Sequence, residues 1–200
     1  MNKIEILKDN DVVFGDPHGC LNSVLDLCKA MNVNIDRDRV FLAGDILDKG
    51  PQSKELMDAM ITYGWEAIQG NHDEKILRYA RGSKIKVNGE IADTVRQLGD
   101  NWQDYALRIA EWPLYKAFED SQGPGFVVQG GVSPDRPIHG QSSNNLLRMR
   151  TWPFEVYNRD RPLTQPLWQE SYKGHLGTIL HGRKTHESKG PNFEGGSTLV

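Results

Sequence analysis

Arg39-Val40-Phe41-Leu42-Ala43-Gly44-Asp45-Ile46-Leu47-Asp48-Lys49-Gly50 changes character at its midpoint. The first half is an apolar run ending in glycine, the pattern of a short buried strand. The second half carries two carboxylates and a lysine between glycines, side chains that a core does not accept without partners. The same sequence of events occurs on either side. Upstream, Asp11-Val12-Val13-Phe14-Gly15 leads into Asp16-Pro17-His18-Gly19. Downstream, Trp65-Glu66-Ala67-Ile68-Gln69-Gly70 leads into Asn71-His72-Asp73. Helices are expected between and after these strands. Cys20 to Met31 has Leu21, Val24, Leu25, Leu27 and Cys28 at helical spacing, and Ser53 to Tyr63 has Leu56, Met57, Met60 and Ile61 on one face. A third helix is expected from about Asp73 to Ala80. Strand and helix alternating three times predict an α/β sheet. Each polar motif then falls at the C-terminal end of a strand, the edge where open α/β sheets place their ligands.

The rest of the chain reads differently. Gly89 to Ala110 predicts two helices with Trp102 and Tyr105. Leu114 to Glu119 and Gly125 to Gln129 predict strands on either side of the turn Ser121-Gln122-Gly123-Pro124. Leu176 to His181 is another apolar strand, and the proline-broken stretch Arg159 to Pro166 reads as a loop. The late β segments fit a second sheet. No internal repeat or low-complexity tract interrupts the pattern.

Composition narrows the function classes. The chain has 200 residues, 38% hydrophobic and 26% charged, with a net charge of −3. That suits one globular domain and gives no overall basic field for nucleic acid. No apolar run reaches the roughly 18 residues of a membrane span, and the polar N-terminus lacks a signal-peptide core. Cys20 and Cys28 lie about 12 Å apart along one expected helix, too far for a disulfide. Reduced thiols and a cytoplasmic location are therefore expected.

The three ordered motifs, Gly15-Asp16-Pro17-His18-Gly19, Gly44-Asp45-Ile46-Leu47-Asp48-Lys49-Gly50 and Gly70-Asn71-His72-Asp73, resemble the signature of the calcineurin-like metallophosphoesterases. The likeness is strongest to their protein serine/threonine phosphatase branch with its bacterial and phage relatives. Gly70 to Lys75, Leu77-Arg78-Tyr79, Gly82 and Tyr172-Lys173-Gly174 resemble, more loosely, the phosphatase module of bacterial polynucleotide kinase–phosphatases. The resemblance implies an α/β fold, a four-layer α-β-β-α sandwich with two packed mixed sheets, formed by residues 1–200 as a single domain.

It also implies a chemistry. Hydrolysis of a phosphate ester needs a hydroxide at neutral pH and screening of phosphate charge, which two divalent metals about 3.5–4 Å apart supply. Asp16 and His18 alternate along a turn, so both can face one ion. By resemblance they hold the first metal, Asp45 bridges, and Asn71 offers its amide oxygen to the second. His72 is implied as the general acid for the leaving oxygen, and Asp48 as its partner. Lys49 stands where the phosphatases commonly carry arginine and is expected to meet the phosphate, with less geometric grip than a guanidinium. Arg150 is the expected second phosphate contact, with Arg148 the alternative if that segment is extended. Imidazole and carboxylate donors suit a divalent transition metal, manganese first, with iron or zinc as alternatives, in one or two ions.

Two positions depart from the pattern. Gln129 stands where the family has a metal-binding histidine after its strand, and Arg183 stands at the histidine that normally ends the last one. Both belong to the second metal site, which is expected to be impaired, with Gln129 a weak neutral donor. Three readings are open. One metal could act with the Arg183 guanidinium clamping phosphate. The site could bind phosphate or a nucleotide without turnover. Or His181, His186 or His175 could complete it, His181 being on the expected strand face at period two. The leading function is hydrolysis of a phosphomonoester, the rival a catalytically degenerate phospho-ligand binding protein. The sequence does not choose among phosphoprotein, nucleotide, dinucleoside polyphosphate and nucleic-acid end as the substrate. Only Phe193 to Val200 remain for the family's final strand and its Gly-rich return, so the expectation is either an abbreviated strand or a missing natural C-terminus.

Overall fold

The structure, a computed structural model, describes residues 11–121, 123–155 and 164–182, and the backbone of strands at 5–6, 193–194 and 197–199. The chain divides into two compact units. Asp9–Pro113 forms an α/β unit, and Met1–Lys8 with Leu114–Val200 forms a β-rich unit. The first strand, β1 (Glu5–Ile6), belongs to the β-rich unit.

The α/β unit is built on three parallel strands in the order β2 (Val12–Phe14), β3 (Val40–Leu42) and β4 (Glu66–Ala67). Parallel strands need a crossover, and helices supply it: α1 (Leu21–Ala30) between β2 and β3, and α2 (Ser53–Tyr63) between β3 and β4. Arg39, at the foot of β3, donates to Asp11 at 3.2 Å and to Glu66 at 3.0 Å, tying the bases of all three strands. After β4 come α3 (Asn71–Ala80), α4 (Gly89–Leu98) and α5 (Trp102–Arg108), the last running into a short 3-10 turn at Ile109–Glu111. Val24, Cys28, Val40, Leu42, Ile46, Leu56, Met57, Ile76, Leu77, Leu98 and Ile109 close over one another as the core of this unit.

Three sequence readings need correction here. α3 starts at Asn71, two residues before the expected start. Gly70 takes the extended N-cap conformation, and the Asp73 carboxylate returns to the Gly70 amide at 2.9 Å, so Asn71 and His72 are drawn into the first turn. Leu27 and Ile61, expected on buried faces, are each 49% exposed. They sit at the edges of apolar stripes whose centres are Val24 and Cys28 in α1, and Leu56, Met57 and Met60 in α2. The sheet of this unit is parallel throughout its described strands, whereas a mixed sheet was expected.

The β-rich unit has the mixed sheet. Its strands run β1-β5-β6-β7-β9-β8, with β5 (Tyr115–Asp120), β6 (Gly123–Val128), β7 (Thr178–His181), β8 (Phe193–Glu194) and β9 (Ser197–Leu199). β5 and β6 form the expected hairpin, Tyr115 opposite Val128. β1 joins β5 in parallel, a pairing that its two polar-flanked residues did not signal. The final strand is present: β9 runs parallel to β7, and β8 pairs with it antiparallel. Two short helices, α6 (Ser143–Arg148) and α7 (Trp168–Ser171), lie in the connections. Val128, Val132, Leu146, Met149, Trp168, Tyr172 and Ile179 form this unit's core.

Candidate active site

The loops after β2 and β3 are held in conformations that most residues avoid. φ is +31° at Asp16, +43° at His18, +49° at Asp45, +79° at Asp48 and +68° at Lys49. Each such residue costs about 1–3 kcal/mol and persists where its surroundings over-determine it. Here the two loops are laced together. The amide of His18 donates to the Asp45 carbonyl at 2.9 Å, Gly19 to Ile46 at 2.7 Å, Gly50 to His18 at 2.8 Å and Gln52 to Gly19 at 2.7 Å. Glycine is required at 50, because a Cβ there would run into the His18 carbonyl oxygen. Glycine at 70 is required as well: a Cβ would strike the backbone nitrogen and carboxylate of Asp45. The three motifs therefore converge through backbone contact.

α4 braces this arrangement from a position that the sequence reading did not single out. Gln97 donates to the Gly50 carbonyl at 2.9 Å and accepts from the Ser53 amide at 2.8 Å. Buried Thr94 donates to Asp48 Oδ1 at 3.3 Å. The available signal was a threonine in register with Ile91 and Leu98 on the buried stripe of an amphipathic helix.

One ligand atom from each of His18, Asp45 and His72 lies within 4.8 Å of the others, a group able to hold a metal ion. The His18 ring faces Leu47 O with Nδ1 at 3.2 Å, so Nδ1 carries the hydrogen and Nε2 keeps its lone pair. Nε2 lies 3.8 Å from Asp45 Oδ2 and accepts from Lys49 Nζ at 2.7 Å. Burial lowers the His18 pKa, and the charges of Lys49 and His72 add to it against the pull of Asp45. A neutral imidazole whose Nε2 lone pair, here on the Lys49 ammonium, lies next to a buried carboxylate offers donors that suit a divalent transition metal.

His72 is set up in the opposite sense. Its Nδ1 lies 2.7 Å from Asp48 Oδ2. Burial alone would lower the His72 pKa, but the hydrogen bond to Asp48 and the charge of Asp45 outweigh it and raise the pKa above its ordinary value. Asp48 shows the complement: burial pushes its pKa up, while the His72 hydrogen bond and charge bring it below the usual carboxylate range. The two rings meet edge to face, centroids 4.9 Å apart. Two histidines pushed apart in this way are suited to different tasks, one as a donor of electrons and one as a donor of a proton.

The remaining expected residues fall as follows. Asp16 is half-buried on the turn before His18, and Asn71 is the first residue of α3, next to His72. Asp16 does not belong to the tight group of His18, Asp45 and His72. Gln129, His181 and Arg150 lie in the β-rich unit. Gln129 is buried at the end of β6, its carbonyl accepting from the Gly182 amide at 3.3 Å. His181 is buried on β7, its ring 5.2 Å from that of Trp168 and its Nε2 3.3 Å from Gln169 Nε2. Arg150 is half-buried, and its carbonyl accepts from the Trp168 amide at 3.1 Å. The segment before it is helical, not extended: the Ser142 side chain caps α6 by accepting from the Asn145 amide, so Arg148 ends a helix and the alternation argument relating it to Arg150 fails. Arg183 and His186 lie outside the described residues.

Comparison with known proteins gives a consistent picture. The symmetrical bis(5'-nucleosyl)-tetraphosphatase of Vibrio parahaemolyticus is 34% identical over 170 residues, covering 81% of this chain and 61% of that protein. The enzyme of the same name from Nitrosomonas europaea is 29% identical over 126 residues, and the match spans 45% of its length. This chain thus spans about half to three fifths of these relatives. Among solved structures, one provisionally assigned as a diadenosine tetraphosphatase superposes with a TM-score of 0.76 at 19% identity, covering 99% of this chain and 86% of that one. A protein serine/threonine phosphatase from Saccharomyces cerevisiae superposes at 0.66 with 17% identity, covering 98% and 70%. These establish a shared two-sheet α/β metallophosphoesterase fold. The calcineurin-like phosphoesterase profile matches residues 12–199, nearly the whole chain and every motif of the laced loops. The chain belongs to the calcineurin-like phosphoesterase family.

Proposed function

We propose that residues 1–200 act as one metallophosphoesterase domain that hydrolyses a phosphomonoester in the cytoplasm, with His72 as general acid. The observation that carries this reading is the 2.7 Å contact between His72 Nδ1 and Asp48 Oδ2, with the His72 pKa raised. An alkoxide is a poor leaving group and gains most from an acid; the phosphate of a cleaved anhydride is a good one and gains less. Membership of the calcineurin-like phosphoesterase family and the unprotonated Nε2 of His18 support metal dependence.

In this reading His18 Nε2 and Asp45 hold a divalent metal, manganese first, with Asp16 as a further ligand and Asn71 directed to a second ion. When bound, the metal supplies a nucleophile at neutral pH and screens phosphate charge. Lys49 leaves His18 Nε2 for the phosphate, where Arg150 and Arg183 are further proposed contacts. Asp48 and Thr94 hold the His72 ring so that its Nε2 proton faces the leaving oxygen. Gln129 and Arg183 replace the two imidazoles of the second ion's site, so a single strongly held metal and modest turnover are proposed. His181 is the remaining candidate to supply an imidazole.

A second reading has support of its own. The relatives from Vibrio parahaemolyticus and Nitrosomonas europaea are named as symmetrical bis(5'-nucleosyl)-tetraphosphatases, which makes a dinucleoside polyphosphate the alternative substrate. Turnover of an alkyl phosphate and of a dinucleoside tetraphosphate, each in Mn²⁺ and each with the parent and His72→Ala, separates the two. The first reading requires alkyl phosphate turnover that collapses in the variant. Turnover of the anhydride alone, little changed in the variant, would replace it with the second.

A further inference from the structure

Asp73 is buried in the α/β unit, and neither the proton transfer nor the proposed ligand set uses it. Its Oδ2 accepts from the Gly70 amide at 2.9 Å and from the Ile46 amide at 3.2 Å, and its Oδ1 accepts from the Leu47 amide at 3.0 Å. Among the described residues it has no cationic partner. The bond to Gly70 is an ordinary capping interaction at the start of α3. The other two are not. They reach across to a loop 26 and 27 residues earlier in the chain.

What that loop carries gives the contact its meaning. Ile46 and Leu47 separate Asp45 from Asp48. Gly70 precedes Asn71 and His72. One carboxylate therefore fixes the distance between the two segments that carry Asp45, Asp48, Lys49, Asn71 and His72. A fourth bond runs in parallel: the His72 amide donates to Asp45 Oδ1 at 2.9 Å, presenting the positive end of α3 to that carboxylate. The close approach of Gly70 to Asp45 leaves the two segments little room to shift.

We propose that Asp73 is a positioning residue which sets Asp45 against the Asn71-His72 turn, and thereby sets the affinity of the His18–Asp45 site for a divalent metal. The proposal rests on Asp45 being a metal ligand. Three inward amides need two acceptor atoms, and a carboxylate provides both. Asparagine has the same shape but one acceptor oxygen, so its NH₂ must face at least one amide N–H. Glutamate keeps both acceptors but adds a methylene to a closely packed site.

The test is calorimetric titration of the metal-free full chain with Mn²⁺, on the parent, Asp45→Ala, Asp73→Asn and Asp73→Glu. Circular dichroism and thermal melting of the metal-free proteins are recorded beside it. Binding in the parent that is lost in Asp45→Ala establishes the underlying reading; retention in Asp45→Ala sinks that reading, independently of Asp73. Given that loss, Asp73→Asn with native circular dichroism should bind Mn²⁺ about 10–100-fold more weakly, the range of groups that orient a ligand from behind. Its kcat on nitrophenyl phosphate at saturating Mn²⁺ should fall more than its KM rises. A folded variant with parental Mn²⁺ affinity, whatever its melting temperature, overturns the proposal. If Asp73→Asn does not fold, Asp73→Glu is read by the same criterion. Failure of both to fold would mark a role confined to folding and also overturn it.

Discussion

The two units of this molecule hold their polar residues in different ways. In the α/β unit, Asp16, His18, Asp45, Asp48 and Lys49 all have positive φ, on loops that leave parallel strands. Asn32 is the sixth such non-glycine residue, and it too lies in this unit. Among the described residues, the β-rich unit has none. Of its buried polar side chains, Gln129 and His181 belong to unstrained strand ends, with Trp168 and Gln169 against His181, and Ser133 and Thr151 lie in the connections. Conformational strain of this kind is kept where surrounding structure is used to hold side chains for a task. The contrast teaches that backbone strain in this chain gathers on the laced loops, which carry the proposed metal ligands Asp16, His18 and Asp45.

The largest expected effect comes from breaking the loops at their shared carboxylate. Asp45→Ala removes a proposed metal ligand and the acceptor of the His72 amide. Turnover of any phosphate substrate should fall below detection; parental activity would remove Asp45 from the chemistry.

His72→Ala should cost about 10²–10⁴-fold on an alkyl phosphate, the usual contribution of a general acid. Nitrophenyl phosphate, with a better leaving group, should suffer less. An equal loss on both substrates would argue for a role other than proton donation.

The third effect is a shift along the pH axis. A general acid works in its protonated form, so its contribution is present below its pKa and is lost as pH rises through it. Asp48 helps to raise the His72 pKa above its ordinary value, so the alkaline limb of kcat in the parent should lie above the usual imidazole range near 6.5. Asp48→Asn removes that support, and the limb should move to lower pH. The same pair contributes stability within a pH window bounded on both sides. The His72 contribution is lost as pH rises through its raised pKa, and the Asp48 contribution as pH falls through its depressed one. A limb that does not move in Asp48→Asn would break the pairing.

The smallest effect is a gain. Gln129→His with Arg183→His restores the imidazoles that the family resemblance calls for and should raise metal stoichiometry from about one toward two. If stoichiometry is unchanged and the parent already holds two ions, the second site is completed by other residues.

The legible part of this structure was what short-range pattern encodes. β2, β3, α1 and α2 follow from apolar periodicity within a dozen residues, and the three motifs announce themselves by polar residues placed where strands end. What lay beyond reach depends on partners far apart in the chain. Thr94 and Gln97 reach Asp48 and Gly50 across 46 and 47 residues. The contact between Lys49 and His18, 31 residues away, was not expected either. β1 is two residues whose strand character comes from pairing with β5. α6 was missed for a local reason: Ser142 caps a helix of only six residues, too short to show an apolar period.

The central claim is that His18 and Asp45 bind the metal while His72 donates a proton, although one atom from each of the three lies within 4.8 Å of the others. Metal content of purified Asp45→Ala and His72→Ala, measured side by side after loading with Mn²⁺ and desalting, separates these roles most directly. The account predicts that Asp45→Ala loses its metal and that His72→Ala keeps the parental amount. Equal loss in both would make His72 a ligand, and retention in Asp45→Ala would contradict the site itself.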